Sequence, residues 1–521
     1  MILSPRGWGT PGWRVVSLSA LALAFALVLQ WLILPPPQPT DSYQVFHAAG
    51  YWPKIPADAA PLWQQTRIGL LLPAWAAQQV FGSDQAAYNA TSFLLLGIFA
   101  VGCYLAGRAL FGDLAGLATA ALLLISPFFT VVDFYVRTVS ESGILPDAPA
   151  AGLFCCGIAA LAVASRRAVP NDGPNDGPND GRSAGPNDGH SDGRRQAWWL
   201  LAAGLSFGLA FLCREFIIYM YAGIPVYLWL LRIRQRRIVV VAAPVLAVLA
   251  FDLVHDAIVF GSPLAQLRAD QAEAHPLLTP VPVMTALGRF PQAMTAAHGL
   301  GTIFLVALGL NVIGWAVTRD RRLALTLVWF LSLWVPLTLQ SGIISPRRPA
   351  FAWGYLARYW FPVLPAITIG GIGACVLIAR LIPWRSARAA AALALAAAVT
   401  AAYAAPAAVD IDRVPRDAAW AQLRSWLSGR ENIPVLWTDS YSAQTLSFYV
   451  RSPAGKQLWD GRILAYTRGR GYASLPRAAG HGPLLLTSES SLPPGRLDGW
   501  RVLWHSSDGR TLRILVKPSR S

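Results

Sequence analysis

Asp41 follows the first long apolar run, Ser17 to Leu34, and a Pro35-Pro36-Pro37 break. An acid at the point where a chain leaves the bilayer is costly to keep and rarely idle. Tyr43, His47, Gly50 and Tyr51 come next, and at helical spacing they share one face. A carboxylate beside such a face can bind a polar acceptor and take a proton from it. The alternative is an interfacial helix whose aromatic rings only anchor it.

Further charges fall between apolar runs. Asp133, Arg137 and Glu141 follow i, i+4, i+8, which makes an ion-pair ladder if helical. Asp147 follows Pro146 and opens an apolar stretch, where it either caps the helix or joins a site. Arg214 and Glu215 sit between two apolar runs with no other polar company and need a partner. Arg suits phosphate, because its planar fork donates several hydrogen bonds at once. Arg347-Arg348 and Arg358-Tyr359 crowd one late loop, and Arg67 adds a cation beside the first loop. An arginine excess there calls for an anion, and a phosphate-bearing lipid is the obvious one.

The elements that must carry these residues are membrane helices. Of the 521 residues 55% are hydrophobic and 13% charged; a soluble protein carries roughly twice that charged fraction. The net charge of +16 does not mean nucleic acid, because Lys and Arg alternate by loop as the positive-inside rule requires. The five cysteines lie in or beside apolar segments, match no metal spacing and read as packing residues. Apolar runs near 15–34, 86–107, 114–129, 147–165, 197–213, 216–231, 238–254, 297–317, 323–340, 357–379 and 388–405 make about eleven spans. Arg6 and Arg14 precede the first run, which reads as an uncleaved helix with its N-terminus inside. Loop arginines at 108, 166–167, 194–195, 232–237, 319–322 and 380–388 then fall inside, with Asp41 and the stretch after Pro406 outside.

Three segments lie between or beyond the spans. Prolines at 53, 56, 61 and 73 break up segment 35–85, which reads as short amphipathic pieces on the membrane with Trp52, Trp63 and Trp75 at the interface. The Pro-Asn-Asp-Gly repeat over 170–193 cannot bury apolar area and reads as disordered. Residues 406–521 alternate strand signals (433–437, 484–486, 500–504, 512–516) with helical ones (418–427, 442–449), a small α/β domain. The fold class is therefore mainly α: a polytopic helix bundle over 1–405, with an extracytoplasmic α/β domain over 406–521. No Gly-rich nucleotide loop, HExxH, Walker A motif or nucleophile elbow is present.

The chain resembles the GT-C membrane glycosyltransferases, in particular the group of protein O-mannosyltransferases and the aminoarabinose transferase of lipid A. Five stretches carry the likeness: Asp41-Ser42-Tyr43; Arg67-Ile68-Gly69 with Leu72-Pro73 and Val80-Phe81-Gly82; Arg108-Ala109-Leu110-Phe111-Gly112 leading to Ser126-Pro127; Pro146-Asp147; and Arg358-Tyr359 with Pro362 and Pro365. Their order and spacing extend over residues 15 to 380. Where the family commonly has Asp-Glu this chain has Asp41-Ser42, and where it often has Lys after the fifth helix Arg214 stands. The resemblance implies an inverting transfer of one sugar, hexosyl or pentosyl, from a polyprenyl phosphate to an acceptor hydroxyl. The acceptor would be a cell-envelope glycan, a glycolipid or a protein. It implies Asp41 as general base, with Arg214, Arg358, Arg67 and Arg347 on the donor phosphate. Tyr43, His47, Asp147 and Tyr359 would meet acceptor or sugar. No cofactor is needed, since the lipid-linked sugar is a substrate; the chemistry requires no metal and leaves a divalent ion open. The Ala-, Arg- and Trp-rich composition suggests a high-GC bacterium, and the transferase would act on the outer face of its cytoplasmic membrane. A transporter would need midplane polar groups and inverted repeats. A polysaccharide polymerase or ligase would use a late outside loop such as 255–298, with His255, His275 and His298.

Overall fold

The computed structural model describes residues 12–33, 41–55, 62–83, 85–126, 143–166, 188–273, 282–295, 301–340, 357–381, 416–430, 432–450, 458–466, 483–487, 499–507 and 512–516. The helices are α1 (Gly12–Ile33), α2 (Asp41–Ala49), α3 (Leu62–Gln65), α4 (Ile68–Phe81), α5 (Gln85–Phe111), α6 (Asp113–Leu124), α7 (Asp147–Arg166) and α8 (Asp188–Cys213). They continue as α9 (Ile224–Leu230), α10 (Ile238–Phe260), α11 (Ala265–Glu273), α12 (Val283–Leu287), α13 (Arg289–Thr295), α14 (Thr302–Thr318), α15 (Arg321–Thr338) and α16 (Leu364–Leu381). Three-ten turns at Glu215–Gly223 and Ala357–Val363 lead into α9 and α16.

Six helices among the described residues are long and apolar enough to cross a membrane, which needs about 20 residues. They are α1, α5, α7, α8, α10 and the unit formed by the second three-ten turn with α16. This is a multi-pass membrane protein. The spans expected at 114–129 and 297–317 are helical but shorter, the one at 216–231 is broken between Arg214 and Ile224, and the one at 323–340 is an 18-residue helix, Arg321–Thr338, that opens with two arginines. The segment 388–405 lies outside the described residues. The described residues of segment 35–85 form three short helices, in keeping with its prolines, although Pro73 sits inside α4. The repeat departs from expectation at its end. Beyond its last proline, Pro186, nothing blocks the helix, and the backbone is helical from Asp188.

Lipid removes most of the hydrophobic drive between helices, so close packing must hold the bundle. Helices α5 and α7 meet backbone to backbone at Gly102 and Gly152. A methyl group on Gly152 would lie 2.5 Å from the Phe99 Cα. Phe154 of α7 then packs on Phe207 of α8 (ring centroids 4.7 Å apart) and Trp329 of α15 (5.3 Å), all fully buried. Such ring pairs contribute about 0.5–1.5 kcal/mol each beyond area. Gly112, at φ 106°, takes a backbone conformation open mainly to glycine and starts α6 directly after α5.

The two ends of α5 differ in charge. At its C-terminal end Arg108 pairs with Asp113 (2.7 Å), Arg166 donates to the Ala109 carbonyl and Arg322 to that of Leu110 (3.0 Å). At its N-terminal end lie α2 and the C-terminal sheet. Gln78 of α4 donates to the Phe46 carbonyl at 2.6 Å and ties down the end of α2.

Five strands form one sheet in the order β2-β1-β3-β5-β4: β1 (Val435–Asp439), β2 (Arg462–Tyr466), β3 (Leu484–Thr487), β4 (Arg501–His505) and β5 (Leu512–Val516). β1 pairs in parallel with β2 and β3, and β5 pairs antiparallel with β3 and β4. Helices α17 (Arg416–Leu427) and α18 (Ser440–Tyr449) accompany it. β2 is the strand that sequence reading missed.

The Gly102–Gly152 crossing generates a prediction. Gly152→Val forces a side chain into the α5 backbone, and overpacking of this kind costs about 1–3 kcal/mol. A thermal-shift measurement in detergent is expected to show a midpoint several degrees lower. Gly193→Val, where nothing lies within 4 Å, serves as the control.

Candidate active site

Arg67 lies between α3 and α4, and its side chain is buried. It reaches Glu215 (3.2 Å) and Gln64 Oε1 (3.1 Å) and stacks over Trp63 (5.0 Å). Gly69 makes this contact possible. Its α-carbon faces the last turn of α8 so closely that a methyl group would meet Leu212 and Cys213 backbone atoms at 2.7 Å. The Arg-Ile-Gly stretch thus presses the start of α4 against the end of α8.

At that end the chain changes conformation. Arg214 is extended (φ −147°, ψ 113°) between α8 and the three-ten turn that Glu215 opens. The break turns two adjacent charges in different directions. Glu215 goes to Arg67, and Arg214 goes to Asp147 (Nε to Oδ1, 3.0 Å) while keeping a 3.5 Å contact to Glu215. The Arg214 guanidinium also lies between two rings, 4.5 Å from Phe216 and 5.2 Å from Tyr359. Arg358, in the second three-ten turn, approaches the other oxygen of Asp147 at 3.6 Å.

Asp147 is therefore the meeting point of three elements. It is the first residue of α7, fully buried, with one oxygen toward Arg214 and the other toward Arg358. The cluster has three guanidiniums, from Arg67, Arg214 and Arg358, and two carboxylates, from Asp147 and Glu215. Guanidiniums gathered this closely in a buried place suit an anion, to which they donate several hydrogen bonds at once. Arginine forks beside aromatic faces suit a phosphate oxygen better than lysine would.

Asp41 opens α2 at the same end of the bundle. Behind it the Tyr43 and His47 rings stack at 5.7 Å and 9°, and Tyr51 meets His47 edge-on at 5.3 Å. The predicted face is thus formed, with His47 and Tyr51 exposed. The Tyr43 hydroxyl lies 2.8 Å from that of Ser447 in α18. The stretch just before α7 packs against the start of α2: a methyl on Gly143 would lie 2.9 Å from the Tyr88 hydroxyl and 3.5 Å from that of Ser42. Asp147 follows Gly143 by four residues.

Arg67, Arg214 and Arg358 come together as the sequence suggests. Asp147 and Tyr359, expected on the acceptor, instead lie among the guanidiniums, because α7 begins inside the cluster. Arg347, Arg348, Asp133, Arg137, Glu141, His275 and His298 lie outside the described residues. Glu215 is the member whose bridging role the sequence did not disclose. A second buried group was also missed. Trp52 donates to His255 (3.4 Å), His255 contacts Asp256 (3.4 Å), and Asp256 accepts from the Gln266 amide at the start of α11 (3.1 Å). Its signal was there: Asp252, His255 and Asp256 fall at i, i+3 and i+4 in an apolar run.

Known proteins offer a fold but no close relative. No family model matches the sequence, and no curated protein does. Among solved structures, ArnT from Cupriavidus metallidurans bound to undecaprenyl phosphate superposes with a TM-score of 0.55 at 14% identity. The match covers 96% of this chain and 99% of that one. Its apo state gives 0.53 over the same shares. The chain has the GT-C fold. An Archaeoglobus fulgidus oligosaccharyltransferase tethered with an acceptor peptide also matches at 14% identity and a TM-score of 0.44, over 88% of this chain and 61% of its own. In this GT-C fold the cation cluster and the α2 helix share one end of the bundle.

Asp147→Asn keeps the shape of the cluster and removes one carboxylate charge. Breaking a buried pair costs about 3–5 kcal/mol. The variant is expected to lose thermal stability in detergent, and inorganic phosphate is expected to restore more of it than an equal ionic strength of sodium chloride.

Proposed function

We propose that this chain is an inverting glycosyltransferase that moves a hexosyl or pentosyl group from a polyprenyl phosphate to an acceptor hydroxyl. The observation that carries the reading is the convergence of Arg67, Arg214 and Arg358 on two buried carboxylates, at the bundle end where α2 begins with Asp41. The GT-C fold supports it, and so does the ArnT structure, whose ligand is a polyprenyl phosphate.

The roles derive from charge flow. Asp41 takes the proton of the acceptor hydroxyl as that oxygen attacks the anomeric carbon from the face opposite the phosphate. The carbon–oxygen bond to phosphate breaks, and the leaving phosphate gains negative charge. Arg214 and Arg358 meet that charge, with Arg67 holding Glu215 and so the end of α8. Preorganised cations that meet developing charge are usually the largest catalytic contribution. His47 and Tyr51 give the acceptor an aromatic, polar face, and Tyr359 fixes the Arg214 plane. Arg347, eleven positions before Arg358 in sequence, is assigned to the phosphate with it. The chemistry requires no cofactor.

The membrane setting is inferred from the arginines at the other end of α5. Arg108, Arg166 and Arg322 mark the cytoplasmic side by the positive-inside rule. The candidate site and the C-terminal sheet then face outward from a bacterial cytoplasmic membrane, where a cell-envelope glycan, glycolipid or protein supplies the hydroxyl.

The test is Asp41→Asn, assayed in proteoliposomes with labelled polyprenyl-phosphate hexoses and pentoses and envelope extracts as acceptor. Transfer is expected to fall about 10²–10⁴-fold, with donor affinity retained. Near-normal transfer by a folded variant would remove Asp41 as base. Donor or solute crossing the bilayer without any glycosyl product would remove the enzyme reading.

A further inference from the structure

Three sets of contacts join the C-terminal sheet to the helix that begins with Asp41. The hydroxyls of Tyr43 and Ser447 lie 2.8 Å apart. Phe448, buried, meets three rings edge-on: Tyr43 at 6.5 Å, Phe46 at 6.1 Å and Tyr88 at 5.5 Å. Arg424 of α17 donates to Gln85 at the start of α5 (3.2 Å). Two of these rings belong to α2, and Tyr88 belongs to the helix on which α2 rests. Phe448 therefore sits in the seam between a short helix and a membrane span.

Helix α2 has nine residues and cannot hold its own conformation or place by helix propensity alone. Gln78 fixes its last turn through the Phe46 carbonyl. Its first turn, which carries Asp41, gains a polar contact to Ser447 through the Tyr43 hydroxyl. We propose that α18 is a positioning element of the active site: Phe448 and Ser447 set the placement of α2, and so of Asp41, relative to the arginine cluster. This rests on the transferase reading above and assigns the C-terminal sheet a part in catalysis rather than a location only.

Misplacing a catalytic group by about 1 Å costs on the order of a hundredfold in rate, so partial loss of the seam should act on turnover. In the full-length protein in proteoliposomes, Phe448→Ala is expected to lower kcat at least about tenfold while the donor KM stays within about twofold. Amide exchange over residues 43–50 should rise, with exchange in β1, β3 and β5 unchanged. Ser447→Ala should shift both readouts in the same direction by less, and Phe448→Leu, which keeps an apolar wedge, should recover most of the loss. Unchanged exchange in α2, or raised exchange with normal kcat, overturns the proposal. A change in KM alone overturns it too, making α18 a binding surface. Should Phe448→Ala loosen the whole sheet, Ser447→Ala and Phe448→Leu decide. Should the wild type transfer no sugar, the transferase reading fails by itself, and the exchange measurement still shows whether α18 holds α2.

Discussion

The arrangement depends on one buried carboxylate. Asp147 has no exposed surface, and its two oxygens face two guanidiniums from distant parts of the chain. Without it Arg214 and Arg358 would repel each other in a medium that screens poorly. With it they stand side by side, and Glu215 does the same for Arg214 and Arg67. Alternating signs let three cations gather in a space that would otherwise expel them. The packing elsewhere serves this point. The α5–α7 crossing fixes the start of α7, Gly69 lets α4 meet α8, and the break after Cys213 frees Arg214 to turn aside.

The cluster and the α2 helix are linked through short chain segments. Gly143 packs beside Ser42 and Tyr88, and Asp147 follows it by four residues. Ser442 to Tyr449 approach from the other side. The proposed base and the proposed anion site therefore share walls, and neither is a free-standing motif on a loop.

Much of the fold was legible in the sequence because apolar length is a strong signal. Ten of the eleven expected spans fall on helices. Six of them have the length and apolarity of a crossing helix. Hydropathy could not foresee where helices shorten or break. The run after Arg214 is apolar enough to read as a span, yet begins as a three-ten turn. In the C-terminal sheet β1, β3, β4 and β5 were visible as apolar clusters. β2 (Arg462–Tyr466), an edge strand like β4, was not. The site was half legible. Arg67, Arg214 and Arg358 stood out as cations in costly places, and their convergence reflects that cost. The pairings did not stand out. Asp147 read as a cap or as a residue meeting acceptor or sugar, Glu215 as a neighbour of Arg214, and Ser447 and Phe448 lie some 400 positions from Tyr43, a pairing that only the folded chain reveals.

The Gly102–Gly152 crossing also bears on how the cluster answers to the bilayer. Gly152 stands five residues after Asp147 on α7, so the contact that locks α7 to α5 also sets the depth of the carboxylate. A bilayer thick or thin enough to tilt α5 would carry Asp147 with it, and the guanidiniums facing its two oxygens would have to follow. Membrane thickness and the geometry of the charges are thus joined through one pair of glycines.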